Sequence, residues 1–184
     1  GMFPSSKTEK IPSGPVELVM CSGEGSCGLV QLKQSYDISL MYGDNYGYRS
    51  GLNQSMVDHL KSKIQAIIDK NILQDGDLVI DIGSNDGTSL GFYPSGKYSL
   101  LGVDPTGDKF MEHYPEGVNL IPEFFTEATV NNYTGGRKAK VITSFSMYYD
   151  LEDPVAFARE VEESLDDDGI WVCEQSYLPA MLEA

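Results

Sequence analysis

The stretch Val79–Ser89, VIDIGSNDGTS, runs from an apolar segment through a carboxylate into a loop with glycines at 83 and 87. Such a pattern describes a strand entering a turn, the place where parallel α/β sheets hold nucleotide cofactors. The dinucleotide fingerprint G-x-G-x-x-G would need glycine at 85 and 88, where Asn85 and Thr88 stand, and the G-K-[ST] of a P-loop is absent. A pyrophosphate also wants backbone N–H groups and positive charge, which a carboxylate at Asp81 opposes. S-adenosylmethionine (SAM) has no phosphate, and its ammonium and sulfonium are attracted by an acid. Asp81, Gly83, Ser84, Asn85 and Gly87 are therefore read as a SAM cradle. The bland alternative is a glycine-permitted turn in which Asp81 caps a helix.

A second acid supports a nucleoside ligand. Asp104 ends the next apolar segment in LLGVDPTG, where a carboxylate can accept both ribose hydroxyls, with Pro105 beside it. Further along, Phe124 or Phe125 in IPEFF can pack on an adenine face, or either can be a plain core residue. TSFSMYYD then places Ser144 and Ser146 to touch the cofactor, and Tyr148 and Tyr149 to face a substrate.

Around these motifs the chain alternates. Strands are expected at 77–82, 98–104, 118–122, 140–145 and 169–175, with helical segments at 87–93, 107–114, 126–132 and 153–166. Ahead of them, SMVDHLKSKIQAIIDK repeats its apolar residues at helical spacing, with Asn53 or Ser55 as cap. Asp153 before Pro154 starts the last helix, and Gly169 is read as its stop. This order predicts a parallel sheet covered on both faces. Residues 1–50, rich in Gly, Pro and Tyr, read as a separate irregular lobe, and 51–184 as the cofactor-binding domain.

Charge narrows the partners. Acidic residues number 28 against 13 basic, for a net charge of -15, and no Lys/Arg cluster interrupts them. Nucleic acids and anionic membranes bind basic faces, so neither is an expected partner. No apolar run approaches the ~20 residues that span a bilayer. Three cysteines do not suggest a disulfide framework, and a cytoplasmic setting follows as the default.

Taken together, CGLVQL, YGYRSGLNQSMVDHL, VIDIGSNDGTSL, LGVDPTGDKF and SFSMYYDLEDP resemble the class I SAM-dependent C-methyltransferases of nucleotide-linked deoxysugars. The resemblance implies a Rossmann-like sheet of about five strands in the order 3-2-1-4-5, an N-terminal zinc-binding lobe, and carbon methylation of a nucleotide sugar. It also implies an active-site tyrosine at Tyr48, with Tyr46 the alternative. Of the family's four zinc-binding cysteines, only Cys21 and Cys27 have counterparts. Two thiolates cannot close a tetrahedral site, and neither His59 nor His113 has ligand-like spacing to them, so bound zinc is not expected.

The family's Glu-His segment has no counterpart before Ala184 either, so the chain reads as truncated at both ends, a cofactor-binding fragment with little activity alone. Two rival readings share the same cradle: a SAM methyltransferase with a different small-molecule acceptor, and a non-catalytic SAM-binding module. The fifth strand, around Trp171, is expected to form an exposed sheet edge that offers a route to a homodimer.

Overall fold

The computed structural model describes residues 6–8, 10, 13–42 and 46–183. The chain divides into two units, Gly1–Tyr48 and Arg49–Ala184. In the first, β1 (Leu18–Met20) and β2 (Val30–Leu32) pair antiparallel, with Leu18 opposite Leu32 and Met20 opposite Val30. A short helix α1 (Ile38–Met41) follows.

The second unit opens with α2 (Gln54–Ile68), capped by Asn53, whose side chain accepts the Ser55 N–H at 3.0 Å. Five parallel strands follow: β3 (Leu78–Ile82), β4 (Ser99–Val103), β5 (Val118–Ile121), β6 (Ala139–Phe145) and β7 (Leu165–Glu174). Helix α3 (Glu127–Thr134) separates β5 from β6, α4 (Pro154–Ser164) separates β6 from β7, and α5 (Leu178–Glu183) ends the described chain. The sheet order is β5-β4-β3-β6-β7, the expected 3-2-1-4-5 when strands are counted from β3.

The period of two along β3 divides the core. Leu78, Ile80 and Ile82 pack with Leu101, Val103, Ile142, Phe125, Phe157 and Val161 under α3 and α4. Val79 points the other way, into a layer with Leu100, Val141, Leu90, Tyr93 and the Ile64 and Ile67 face of α2. Strand β3 is buried on both faces, which explains why it reads as an apolar run interrupted only by Asp81 rather than an alternating one. Asp153 caps α4 by accepting the Ala156 N–H at 2.9 Å, with Pro154 in the first turn as anticipated.

Three local expectations are corrected. The segments 87–93 and 107–114 are not α-helical: the first holds one 3-10 turn, Leu90–Phe92, and the second is the 3-10 segment Gly107–His113. Gly87, Gly91 and Pro94 leave too few consecutive residues in the first to nucleate a helix. Gly169 does not stop α4, which ends at Ser164; instead β7 begins at once, and its register slips between Ala139 and Val141 of β6. A Cβ on Gly169 would lie 2.8 Å from the Ala139 carbonyl oxygen, so glycine is there for close approach across the bulge. Trp171 is half-buried rather than exposed, because its ring packs against Tyr148 and Phe157.

Candidate cofactor site

The sheet order reverses at β3, whose neighbours β4 and β6 are reached by chain running in opposite directions. Ligands in open α/β sheets bind beyond the carboxyl ends of the strands at such a point. Unusual backbone gathers there: Gly83, Asn85 and Gly87 after β3 have φ of 72°, 52° and 73°, and Ser146 after β6 has φ of 55°. A side-chain-bearing residue held in the left-handed region costs on the order of 1 kcal/mol or more, and such strain concentrates at functional sites. Gly83 donates its N–H to the Val103 carbonyl at 2.9 Å, which ties the turn to the end of β4. A Cβ at 83 would approach Met147 Cγ to 3.3 Å, so the glycine also leaves space that a side chain would fill.

Asp104 is buried beside this turn. Its Oδ2 accepts the Asn85 N–H at 2.8 Å, while its Oδ1 accepts the Thr106 N–H at 2.7 Å and the Thr106 hydroxyl at 2.6 Å. A carboxylate offers about four acceptor positions. One remains on Oδ2, enough for a single direct hydroxyl contact rather than the two expected of a ribose diol. Pro105 follows it and is half-buried.

Asp81 lies beneath the loop rather than on it. Its register partner on β6 is Thr143, whose hydroxyl donates to Asp81 Oδ1 at 2.5 Å, and Ser89 adds a second hydrogen bond. Burial drives the carboxyl up to about 7, with the nearby charge of Asp104 contributing and the two hydroxyls opposing. The Tyr93 phenol shares this interior layer; burial and the proximity of Asp81 push it well above its ordinary range, and its hydroxyl is buried without a hydrogen-bond partner.

The loop is gripped from two sides by groups the sequence did not single out. Ser50 donates its N–H to Asn85 Oδ1 at 2.8 Å, Gly51 donates to Asp86 Oδ2 at 2.9 Å, and Arg49 Nε donates to the same oxygen at 3.2 Å. The other Asp86 oxygen accepts from the Thr88 N–H and hydroxyl. Arg49 Nη1 lies 2.5 Å from His113 Nε2. From the interior, the Tyr114 hydroxyl donates to the Asn85 carbonyl at 3.1 Å and lies 2.8 Å from Ser84 Oγ. Burial raises that phenol far above its usual range. Asn85 thus anchors the loop as much as it lines it. A cue was present in the acid at 86, but nothing in sequence spacing links it to Arg49.

The remaining candidates separate. Phe125 belongs to the core, its ring centroid 5.4 Å from that of Phe157, whereas Phe124 is exposed, so Phe124 is the aromatic available to a ligand. Ser144 is fully buried and accepts Trp171 Nε1–H at 2.9 Å. Ser146 sits at the strained turn, its N–H donated to the Glu174 carbonyl at 3.2 Å. Tyr148 donates to the Pro154 carbonyl and packs in the aromatic cluster, while Tyr149 is exposed. Tyr46 and Tyr48 close the first unit, Tyr46 with its ring 5.3 Å from that of Tyr42. At the end of β7, Glu174 Oε2 lies 2.7 Å from His59 Nε2 and 3.3 Å from Lys63 Nζ, a cluster the sequence reading did not foresee.

Cys21 and Cys27 are exposed. A backbone N–H at Leu29 and the Cys21 thiol hold the Cys27 thiol below its ordinary range. Among the described residues, no group of three or more His, Cys, Asp or Glu side chains is placed to hold a metal ion. No helix among them is long and apolar enough to cross a membrane.

Three buried carboxylates, Asp81, Asp86 and Asp104, surround the left-handed loop, and Arg49 is already committed to one of them. That set disfavours a pyrophosphate and suits a nucleoside ligand bearing positive charge. The cradle, the switch point and the all-parallel sheet define the Rossmann-like class I methyltransferase fold. The structure of the plantazolicin methyltransferase BpumL in complex with SAH superimposes with a TM-score of 0.50 at 14% identity, over 62% of this chain and 45% of that one.

No family model matches the sequence. It is similar to the C-methyltransferase NovU of Streptomyces niveus, 26% identical over 171 residues, covering 92% of this chain and 40% of NovU. It is also similar to the tRNA U34 carboxymethyltransferase of Campylobacter lari, 30% identical over 141 residues, covering 69% of this chain and 46% of that protein. The chain spans less than half the length of each of these curated relatives.

Proposed function

We propose that residues 49–184 bind S-adenosylmethionine for a methyltransferase whose acceptor is a carbon atom of a nucleotide-linked sugar. The observation that carries the cofactor reading is the ring of buried carboxylates about the left-handed loop at the switch point. Similarity to a C-methyltransferase supports the choice of carbon. When bound, SAM supplies an electrophilic methyl group on a sulfonium.

In this reading the chain's own residues bind and orient. Gly83 lets the backbone approach the ligand, Gly87 lets the loop turn close against Tyr114 and Pro115, and Asp104 Oδ2 accepts one ribose hydroxyl. Phe124 covers the adenine face, and Asp81 supplies negative charge from beneath once its proton is released. Ser84, Asn85, Pro105 and Ser144 shape the cradle through the backbone, while Ser146 holds the rim. Tyr149 and Tyr48 are the proposed acceptor-side residues. A base able to deprotonate a sugar carbon is not identified among the described residues of the cradle, so turnover by this chain alone is expected to be low. The tRNA carboxymethyltransferase similarity keeps a different acceptor as the second reading, since acceptor choice does not reside in the cradle.

Thermal shift with SAM, S-adenosylhomocysteine and NAD tests the cofactor. Stabilisation by the first two and not by NAD is expected, and stabilisation by NAD alone overturns the assignment. Incubation with labelled SAM and nucleotide-deoxysugar acceptors, read as label fixed to carbon or to oxygen, tests the acceptor.

A further inference from the structure

A cluster of ionisable side chains lies just beyond the cradle, where α2 meets the end of β7. His59 Nε2 is 2.7 Å from Glu174 Oε2, and Lys63 Nζ approaches the same oxygen at 3.3 Å. His59 and Lys63 stand one turn apart on α2, beside the face that buries Leu60, Ile64 and Ile67. Among the described residues no other hydrogen bond engages the His59 ring, and 39% of its side-chain surface is open. The cluster sits at the ligand end of the sheet. Glu174 closes β7 opposite Phe145 of β6, and its carbonyl accepts the N–H of Ser146, whose φ of 55° marks the rim of the cradle. Strand β7 is two strands from β3, about 10 Å across the sheet. Ahead of α2, Ser50 and Gly51 bond to Asn85 and Asp86, so the helix starts at the cofactor loop, and His59 lies about 8 Å along it from Gln54.

We propose that His59 is the base that removes a proton from the acceptor carbon, and that Glu174 is its positioning residue. The inference rests on the methyltransferase reading above: with the ribose at Asp104 on β4 and the sulfonium over β3, the methyl acceptor lies toward β6 and β7. The neutral imidazole donates Nε2–H to Glu174, because a carboxylate only accepts, and keeps its lone pair at Nδ1. Nδ1 takes the hydrogen of a carbon next to a sugar ketone as a proton. The C–H electron pair stays on the sugar as the enolate, with its charge on the ketone oxygen, and Glu174 stabilises the imidazolium. Lys63 donates to the same carboxylate oxygen, which fixes Glu174 while offsetting part of its charge. Without methyl transfer, the imidazolium exchanges its proton with solvent and returns one to the carbon.

The test uses the full chain with S-adenosylhomocysteine in deuterated buffer, and thymidine diphosphate-linked 4-keto-6-deoxyglucose as the probe. Proton NMR follows exchange of the hydrogens beside the ketone, so proton transfer is read without methyl transfer. The wild-type chain should exchange them faster than the protein-free control. His59→Ala should be slower by about a hundredfold, the scale of a lost general base, and added imidazole should restore part of the rate. Glu174→Gln should lower the rate with probe affinity unchanged, which loss of a plain tie between α2 and β7 would not do. The thermal shift with SAM should be the same in all three proteins, which shows that each is folded and loaded. The proposal is overturned if either variant exchanges at the wild-type rate, if imidazole restores nothing to His59→Ala, or if the wild type binds the probe without exchanging it. Those outcomes leave the methyltransferase reading standing. A wild-type chain that does not bind the probe, by saturation-transfer NMR, fails the nucleotide-sugar reading itself, and the proposal falls with it.

Discussion

Arg49 Nε donates to Asp86 Oδ2 at 3.2 Å, and that contact fastens the strand–turn loop after β3 to the segment that leads into α2. Asp86 is 2% exposed and collects four donors: the Gly51 N–H, Arg49 Nε, and the N–H and hydroxyl of Thr88. A carboxylate so placed is favourable only while its donors remain, because a buried charge stripped of partners carries a desolvation cost of several kcal/mol. Asp86→Ala, which leaves the Gly51 N–H, Thr88 and Arg49 unpaired, should destabilise by about 3 kcal/mol. Arg49→Gln leaves three donors on Asp86 and should cost about 1 kcal/mol. Urea unfolding of both variants checks the order.

Asp81 makes stability depend on pH. Its folded value of about 7 lies above the ordinary 3.8 because of burial, so between those values the folded chain holds a proton that the unfolded chain has released. Stability therefore falls as pH rises from about 4 to about 7, and the penalty is complete above that. At about 1.4 kcal/mol per unit the full penalty is at most about 4 kcal/mol. Asp81→Asn removes the titration. Its advantage over wild type should be absent near pH 4 and largest near pH 8, as read by urea midpoints at each pH. If Asp81 also attracts the cationic cofactor, the same variant should bind SAM more weakly, and wild-type affinity should rise between pH 6 and pH 8. A variant that is more stable but binds no less tightly removes Asp81 from the site.

The strands and the glycine loop were legible because both follow from local pattern: apolar runs of strand length, acids at their ends, and glycine where φ must be positive. The strand order came only from what the family resemblance implies. Asn85 was legible as a departure from the dinucleotide fingerprint, but not as the acceptor for Ser50, since that bond joins residues 35 apart in sequence. The same limit hid Arg49, Tyr114 and the Glu174–His59 contact, all long-range pairings set by packing. Phe124 and Phe125 could not be told apart because adjacent residues on an extended segment face opposite ways. Only the position of Phe157 fixes which one is core. The helical segment expected at 107–114 is present as the 3-10 helix Gly107–His113; its composition carries no breaker after Gly107, and nothing in it separates a 3-10 helix from an α-helix.

That pair of phenylalanines separates stability from binding. Phe125→Ala empties a site packed against Phe157 and should cost about 3–5 kcal/mol in urea unfolding. Phe124→Ala removes an exposed ring and should change stability by less than about 0.5 kcal/mol. If Phe124 covers the adenine, its loss should weaken SAM binding by about tenfold, the scale of one aromatic contact. Calorimetric titration with SAM that shows no change in the Phe124→Ala protein assigns the adenine to another wall.

Gly83 tests whether the loop conformation itself is the binding element. Its φ of 72° disfavours any L side chain, and a methyl group there would press on Met147 Cγ at 3.3 Å. Two separable costs follow: about 1 kcal/mol for the backbone region, and a steric cost set by how far the flexible Met147 side chain gives way. Gly83→Ala should therefore lower the urea midpoint and abolish the thermal shift with SAM. Adding Met147→Ala should return the steric share of the stability but not the backbone share. If the double variant also recovers SAM binding, Met147 rather than the backbone shape of the loop was the obstacle. If binding stays lost, the left-handed turn at 83 is what admits the ligand.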